Sequence, residues 1–252
     1  MLETDIYCKL CGRRVFHNYL LKNTASEQDI TSRWYHCSCG CVFNLYKPDK
    51  PYTIEYRKQF EDIKEVGNRY DWYIRNYVTI AEEKTYGRKF LDVGFGVDYV
   101  IQEMRRRGWV GTGIDIIPND LITGDFEIFD FGSSQFDLIW LGDVLQCFDD
   151  PMKALRKAYN LLYPDGLMFI VTPNTDLIKD GKIQEWGHWD LETNRQFFSM
   201  NLLKTMISKV DMNTSGNLRL LYADNNCSQR FPSWNNMHLL LQKEMHENYK
   251  RK

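Results

Sequence analysis

The sequence predicts an α/β fold: a doubly wound, mostly parallel sheet preceded by a small cysteine-rich module. Three observations carry this expectation. The first is the stretch Lys89-Phe90-Leu91-Asp92-Val93-Gly94-Phe95-Gly96-Val97-Asp98, where an apolar run enters Asp92 and a Gly-x-Gly turn follows. The second is the alternation of apolar runs with helix-periodic segments from 89 to 173, the pattern of parallel strands joined by crossover helices. The third is the crowding of five of the seven cysteines into the first 41 residues, mostly as close pairs.

Size and charge narrow the function classes. A chain of 252 residues buries one full core and has room for one small extra module. The formal net charge of −2 gives no global attraction to nucleic acid or to a membrane. Arg105-Arg106-Arg107 and the tail Lys250-Arg251-Lys252 read as solvated basic faces. No apolar stretch has the length needed to span a bilayer, and Met1-Leu2-Glu3-Thr4-Asp5 does not read as a signal peptide. The expectation is a cytoplasmic protein with a small-molecule substrate and no membrane contact, with a nucleic-acid partner kept as the less favoured alternative.

Residues 1–46 form the first unit. Cys8-Lys9-Leu10-Cys11-Gly12 is a Cys-x-x-Cys knuckle with glycine where the chain must turn tightly, and His36-Cys37-Ser38-Cys39-Gly40-Cys41 supplies a second, irregular cluster. Cys8, Cys11, Cys37 and Cys39 are the candidate ligands of a tetrahedral zinc, with His36 or Cys41 as alternatives in the second cluster. Four such ligands leave no open position, so the metal is expected to be structural, holding together a segment too small for its own core. Residues 47–88 read as a helical linker or lid, broken at Pro48 and Pro51 and then helix-periodic from Tyr56 to Glu83. Its dense aromatics are expected to pack the helices onto the main domain; Tyr52 or Tyr56 covering the ligand cleft is the alternative.

The main domain is placed at 89–245, and 246–252 is a basic tail. After the glycine turn, Tyr99 to Met104 has helical spacing, and Trp109 to Ile114 is a second apolar run ending in Asp115. Gly124-Asp125-Phe126-Glu127 follows a short loop. Phe136 to Leu141 and Leu167 to Thr172 are nearly unbroken apolar runs, as strands buried on both faces should be. Between them Asp149-Asp150-Pro151 opens a helix through Leu162, with acidic capping and proline in the first turn. The polar and aromatic connection 174–199 leaves the carboxyl end of a strand, the end at which open α/β sheets bind ligands. Met200 to Lys209 is a helix, and Leu218–Tyr222 and Met237–Gln242 are two final strands expected to pair antiparallel.

The glycine turn and the two strand-end carboxylates describe a ligand. Glycines let the backbone approach it closely, and Asp115 sits where a carboxylate accepts both hydroxyls of a ribose. A dinucleotide site wants a third glycine where this chain has Tyr99, and Asp92 would repel a diphosphate. Asp92 suits a cationic amino group instead, so the residues favour S-adenosylmethionine over NAD.

Taken together the blocks resemble the class I S-adenosylmethionine-dependent methyltransferases, in the small-molecule branch that carries a zinc-ribbon-like segment ahead of the catalytic domain. The resemblance rests on Leu91-Asp92-Val93-Gly94-Phe95-Gly96, on Gly111 to Asp115, on Gly124 to Glu127, on Phe136 to Ile139 with Val144-Leu145 and Asp150-Pro151, and on Leu161 to Asn174. It implies a seven-stranded Rossmann-like sheet. It also implies roles: Asp92, Gly94 and Gly96 at the methionine end of the cofactor, Asp115 at the ribose, Asp125 at the adenine amino group and Phe126 against the ring. Leu141 and Gly142 would line the sulfonium side. Two departures stand out. Asp98 occupies the place of a usual third glycine, and the segment before Phe197-Phe198-Ser199 lacks the expected histidine, which leaves His188, with Asp190 and Glu192 behind it, as the candidate base. The expected activity is methyl transfer to O, N or C of a small polar metabolite such as a sugar or nucleotide-sugar. The competing expectations are a tRNA-type nucleic-acid methyltransferase and a catalytically silent scaffold of the same fold.

Overall fold

The structure, a computed structural model, describes residues 5–22, 31–45, 53–58, 64–178, 186, 193–210, 217–224 and 236–244. Strands β4 (Lys89–Val93), β5 (Val110–Asp115), β6 (Ile122–Thr123), β7 (Phe136–Gly142), β8 (Leu162–Pro173), β10 (Leu218–Asp224) and β11 (Asn236–Lys243) form one seven-stranded sheet in the order β10-β11-β8-β7-β4-β5-β6. The β8-β7-β4-β5-β6 run is parallel, and β11 pairs antiparallel with both β8 and β10. This is the doubly wound, mostly parallel sheet expected from the alternating runs, with the two last strands antiparallel. The order reverses between β4 and β7, so the crevice beyond their carboxyl ends is the topological switch point.

Helices cover both faces. Helix α4 (Tyr99–Arg106) buries Val100, Ile101 and Met104 along one stripe, and α5 (Pro151–Leu161) starts at Asp150, whose side chain accepts from the Lys153 N–H. Helix α6 (Met200–Val210) packs beside α5, burying Leu203, Met206 and Val210. The described part of the linker carries α1 (Ile54–Lys58) and then α2 (Lys64–Tyr73), a π-helical turn at Ile74–Val78 and α3 (Thr79–Lys84) in direct succession. Its aromatics do pack onto the domain: Tyr73 and Tyr77 are buried against Trp140, Phe169 and His238. Tyr52 lies outside the described residues, as does the side chain of Tyr56.

Two element boundaries differ from the sequence expectation. Pro164-Asp165-Gly166, expected as a turn between helix and strand, lies inside β8, because the ladder with β7 shifts register there and Asp165 takes the left-handed φ of 63°. The segment after Asp115, expected as a short loop, carries the two-residue strand β6 before turning at Asp125.

The cysteine-rich module has its own sheet of β1 (His17–Lys22), β2 (Thr31–His36) and β3 (Val42–Asn44), and a fourth strand from the main domain, β9 (Gln196–Phe197), completes it. Among the described residues no helix is long and apolar enough to cross a membrane.

His238 on β11 is fully buried, bonded through Nδ1 to the Tyr77 hydroxyl at 2.7 Å, and burial pushes its pKa down to about 4. The unfolded chain therefore protonates this histidine first on acidification, so its contribution to stability is complete above the free value near 6.5 and is lost as pH falls toward 4. Urea unfolding as a function of pH is expected to show this loss in the native chain and a flatter profile for His238→Gln.

Candidate active site and cysteine cluster

The site is built where β4 and β5 end side by side. Alternation along β4 puts Leu91 and Val93 on the α5 face and Phe90 and Asp92 on the face covered by α2 and α4. Asp92 is 4% exposed, and burial, with the Asp115 charge added to it, raises its carboxyl well above the usual carboxylate range. The chain then turns at Gly94 (φ 65°) and Gly96 (φ 55°), a backbone that L side chains rarely adopt. A Cβ on Gly94 would stand 2.4 Å from Val144 Cγ2, so the turn after β7 lies directly over the glycine.

Asp115 at the end of β5 is fixed from two sides. Its Oδ2 accepts from the Gly96 N–H at 3.0 Å and its Oδ1 from the Ile117 N–H at 2.9 Å. Each carboxylate oxygen has a further lone pair, so both hydroxyls of a ribose can still be accepted. Asp98, at the N-terminal cap of α4, is exposed and its Oδ2 accepts from Gln102 Nε2 at 2.8 Å; its charge points along the helix surface.

The other predicted residues fall around this centre in different ways. Asp125 is exposed and accepts the Glu127 N–H in a tight turn, 2.8 Å. The Phe126 ring is buried among Phe131 and Phe148 with the Lys157 ammonium 5.3 Å from its centroid. Leu141 is fully buried, and Gly142 closes β7, where a Cβ would meet Trp140 Nε1 at 2.5 Å. His188, Asp190 and Glu192 lie outside the described residues.

A cluster that no linear motif announces completes the mouth of the site. Asp143 follows Gly142 in a left-handed conformation (φ 52°), and its carboxylate is held by Arg69 of α2 at 2.9 Å and by Asn236 Nδ2 at 2.7 Å. Arg69 is 2% exposed, and the Asp143 charge offsets its burial. The next two residues of α2 extend this contact across to α4: Tyr70 stacks on Tyr99 and Asp71 accepts from the Tyr99 hydroxyl. Helix α2 is thus tied by three consecutive side chains over the face that carries Asp92. The partners are spread over 69, 143 and 236, and no local pattern connects them.

The cysteines converge separately. The Sγ atoms of Cys8, Cys11, Cys37 and Cys39 all lie within 4.8 Å of one another, with 3.5 Å for Cys11–Cys37 and 3.8 Å for Cys8–Cys39. Four thiolates around a tetrahedral zinc, with Zn–S of about 2.3 Å, stand about 3.8 Å apart, so the set fits that ion. Without a cation the sulfurs oppose one another. Hydrogen bonding from Cys39 and Cys41 pushes Cys8 down, and Cys8 in turn pushes Cys39 and Cys41 up. Of the alternatives in the second cluster, neither His36 nor Cys41 belongs to the four-sulfur group.

Residues 66–214, more than half of the chain, match the Methyltransferase domain family. The ubiquinone biosynthesis O-methyltransferase of Haemophilus ducreyi is 25% identical over 123 residues, 40% of this chain and 52% of that one, and the enzyme of the same name from Actinobacillus pleuropneumoniae is 29% identical over 123 residues, covering 40% and 53%. The chain spans about half the length of these curated relatives. Among solved structures, the plantazolicin methyltransferase BamL, crystallised with a triazolic desmethylPZN analog and SAH, superposes with a TM-score of 0.57 at 15% identity, over 76% of this chain and 90% of that one. The N-methyltransferase NodS of Bradyrhizobium japonicum, in complex with S-adenosyl-L-homocysteine, gives 0.50 at 15% identity over 74% and 91%. These two share the fold. The chain belongs to the methyltransferase-domain family, with the sheet of the class I S-adenosylmethionine-dependent enzymes.

Proposed function

We propose that this protein transfers the methyl group of S-adenosylmethionine to an oxygen, nitrogen or carbon of a small polar metabolite, with a sugar or nucleotide-sugar as the acceptor class. The observation that carries the cofactor assignment is the pairing of a buried Asp92 with an Asp115 held by the Gly96 and Ile117 N–H groups. A buried carboxyl whose ionised form is disfavoured calls for a cation beside it, and the amino group of the methionine end supplies one. Asp115 accepts the ribose hydroxyls, Asp125 the adenine amino group, and Leu141 and Gly142 border the sulfonium.

When bound, the cofactor supplies a methyl group already activated on a positively charged sulfur. The protein's own task is to align the acceptor and exclude water. Gly94 and Val144 set the width of the cleft, and the Arg69–Asp143–Asn236 cluster fixes the turn that borders it. His188, with Asp190 and Glu192, is the assigned base for acceptors that must lose a proton. The curated relatives are named for O-methylation, which makes oxygen acceptors the first to assay. Against a nucleic-acid acceptor stand the near-neutral charge and the Gly142-Asp143-Val144-Leu145 turn in place of an Asn/Asp-Pro-Pro base-holding turn. Cys8, Cys11, Cys37 and Cys39 hold a structural zinc, and the domain organisation is a module at 1–46, a helical linker or lid at 47–88, the S-adenosylmethionine-binding domain at 89–245 and a basic tail at 246–252.

Calorimetric titration with S-adenosylhomocysteine and with NAD tests the cofactor reading. S-adenosylhomocysteine is expected to bind and NAD is not. Asp115→Ala is expected to weaken binding by at least about tenfold, consistent with loss of hydrogen bonds to a charged acceptor. Gly94→Ala is expected to do the same through backbone strain and collision with Val144. Binding that survives both substitutions, or a folded chain that binds neither ligand, would sink the assignment and leave the silent scaffold. Metal analysis of the reduced protein is expected to find one zinc per chain, lost on substitution of Cys8, Cys11, Cys37 or Cys39 by serine and kept in Cys147→Ser.

A further inference from the structure

The turn assigned to the adenine end of the cofactor is gripped by the start of helix α5, through residues that the cofactor reading does not use. The turn begins at the ribose carboxylate, where the Gly124 N–H donates to the Asp115 carbonyl at 2.8 Å. Asp125 then bends the chain back. Its carbonyl accepts from the Ile128 and Phe129 N–H groups at 3.1 and 2.8 Å, and its Oδ1 accepts from the Glu127 N–H at 2.8 Å. The Asp125 side chain is exposed, so its second oxygen is open to a donor on a ligand.

Helix α5 holds this bend in place. A helix start leaves N–H groups unpaired, and a capping box answers two of them: the N-cap side chain takes the N3 N–H, and an acid at N3 takes the N-cap N–H. Only half of that arrangement is local here. Asp150 at the N-cap accepts from the Lys153 N–H at 3.0 Å, but N3 is Lys153 itself, which has no side-chain acceptor to give in return. The missing acceptor comes from the adenine turn. Glu127 Oε1 accepts from the Asp150 N–H at 3.0 Å and Oε2 from the Asp149 N–H at 3.1 Å. The carboxylate thereby also stands at the positive end of the helix dipole. One turn along α5, Lys157 donates to the Phe129 carbonyl and lies 5.3 and 5.5 Å from the centroids of Phe126 and Phe131. Phe126 is buried against Phe148, so its ring seats the turn on the domain.

We propose that Glu127 is the positioning residue of the adenine subsite: by capping α5 from outside the helix it fixes where Asp125 meets the base, and so sets a preference for a base with an amino group at the six position. This rests on the S-adenosylmethionine reading of the site. Asp125 makes the contact, and Glu127 decides where Asp125 stands. An inosine base carries a carbonyl at the six position, and a carbonyl facing a fixed carboxylate sets two acceptors against each other. That rejection is strong only while the turn cannot move aside.

Calorimetric titration of the full chain with S-adenosylhomocysteine and with S-inosylhomocysteine tests this. The chains compared are the native one, Glu127→Ala, Glu127→Asp, Asp125→Ala and the double variant Asp125→Ala with Glu127→Ala. The native chain is expected to prefer the adenosyl ligand by at least about tenfold. Glu127→Ala is expected to weaken adenosyl binding by at least about tenfold and to bring the preference to within about threefold. Glu127→Asp, too short to span both N–H groups, is expected to lose preference in the same direction, and it decides the matter if Glu127→Ala does not fold. In the Asp125→Ala background, Glu127→Ala is expected to change adenosyl binding by less than about threefold, because the two residues serve one contact. A merely structural role lowers affinity for both ligands together and leaves their ratio alone. Glu127 variants that weaken both ligands equally, full additivity with Asp125→Ala, or a native chain that binds both ligands alike would overturn the proposal. A native chain that binds neither ligand overturns the cofactor reading and this proposal together, whereas native adenosyl binding with an unchanged preference in the Glu127 variants overturns this proposal alone.

Discussion

Two carboxyls at the carboxyl ends of neighbouring parallel strands set the terms for the surrounding structure. The register of β4 on β5 pairs Asp92 with Gly113 and leaves Asp115 two residues further along. Burying an acid costs free energy unless something compensates it, and a second acid nearby raises that cost. The fold meets the difficulty differently at each position. At Asp115 the tight glycine turn aims the Gly96 N–H at one oxygen and the chain after β5 aims the Ile117 N–H at the other. At Asp92 burial pushes the carboxyl toward its neutral form, so a cationic ligand group is the natural counterpart. A side chain at Gly94 would combine a strained φ of 65° with a Cβ only 2.4 Å from Val144 Cγ2.

Around this centre the molecule is held by ties between elements far apart in sequence. Helix α2 is drawn over the Asp92 face by Arg69, Tyr70 and Asp71, and each reaches a different partner: Asp143, the Tyr99 ring and the Tyr99 hydroxyl. Asn236 brings the antiparallel strand β11 into the same cluster. On the opposite side, β9 adds a main-domain strand to the sheet of the cysteine module. The crevice is built on strand ends and glycines, and the turn at 143–148 lies over it with Val144 against Gly94.

Much of this was legible in the sequence because it follows from local pattern. The apolar runs at 136–141 and 167–172 announce strands buried on both faces, and they occupy the sheet centre as β7 and β8. The glycine turn and the two strand-end acids are separated by fixed distances along the chain, so their meeting could be foreseen. That Cys8 and Cys11 meet the second cysteine cluster likewise follows from spacing, whereas the choice of Cys37 and Cys39 over His36 and Cys41 within that irregular cluster is set by the fold. What stayed hidden needs three-dimensional contact. Arg69 reads as an ordinary charge on a polar helix until it is found buried on Asp143, and nothing in the run Asn236 to Gln242 marks Asn236 as more than the start of a strand. The extension of β8 back through Pro164 was masked by residues that ordinarily break strands. They are tolerated there because the ladder shifts register and Asp165 takes the left-handed conformation.

The central claim is that Asp92 is a buried acid awaiting a cation. Carbon-13 NMR of the carboxyl carbons, with the Asp92 signal assigned through Asp92→Asn, tests it directly. In the free protein the Asp92 signal is expected to titrate well above the ordinary carboxylate range, and saturating S-adenosylhomocysteine is expected to bring it down, with release of a proton and tighter binding as pH rises. That sign follows because the bound amino group favours the ionised form that burial disfavours. An Asp92 that titrates as an ordinary carboxylate in the free protein, or that stays unmoved by the ligand, would contradict the account.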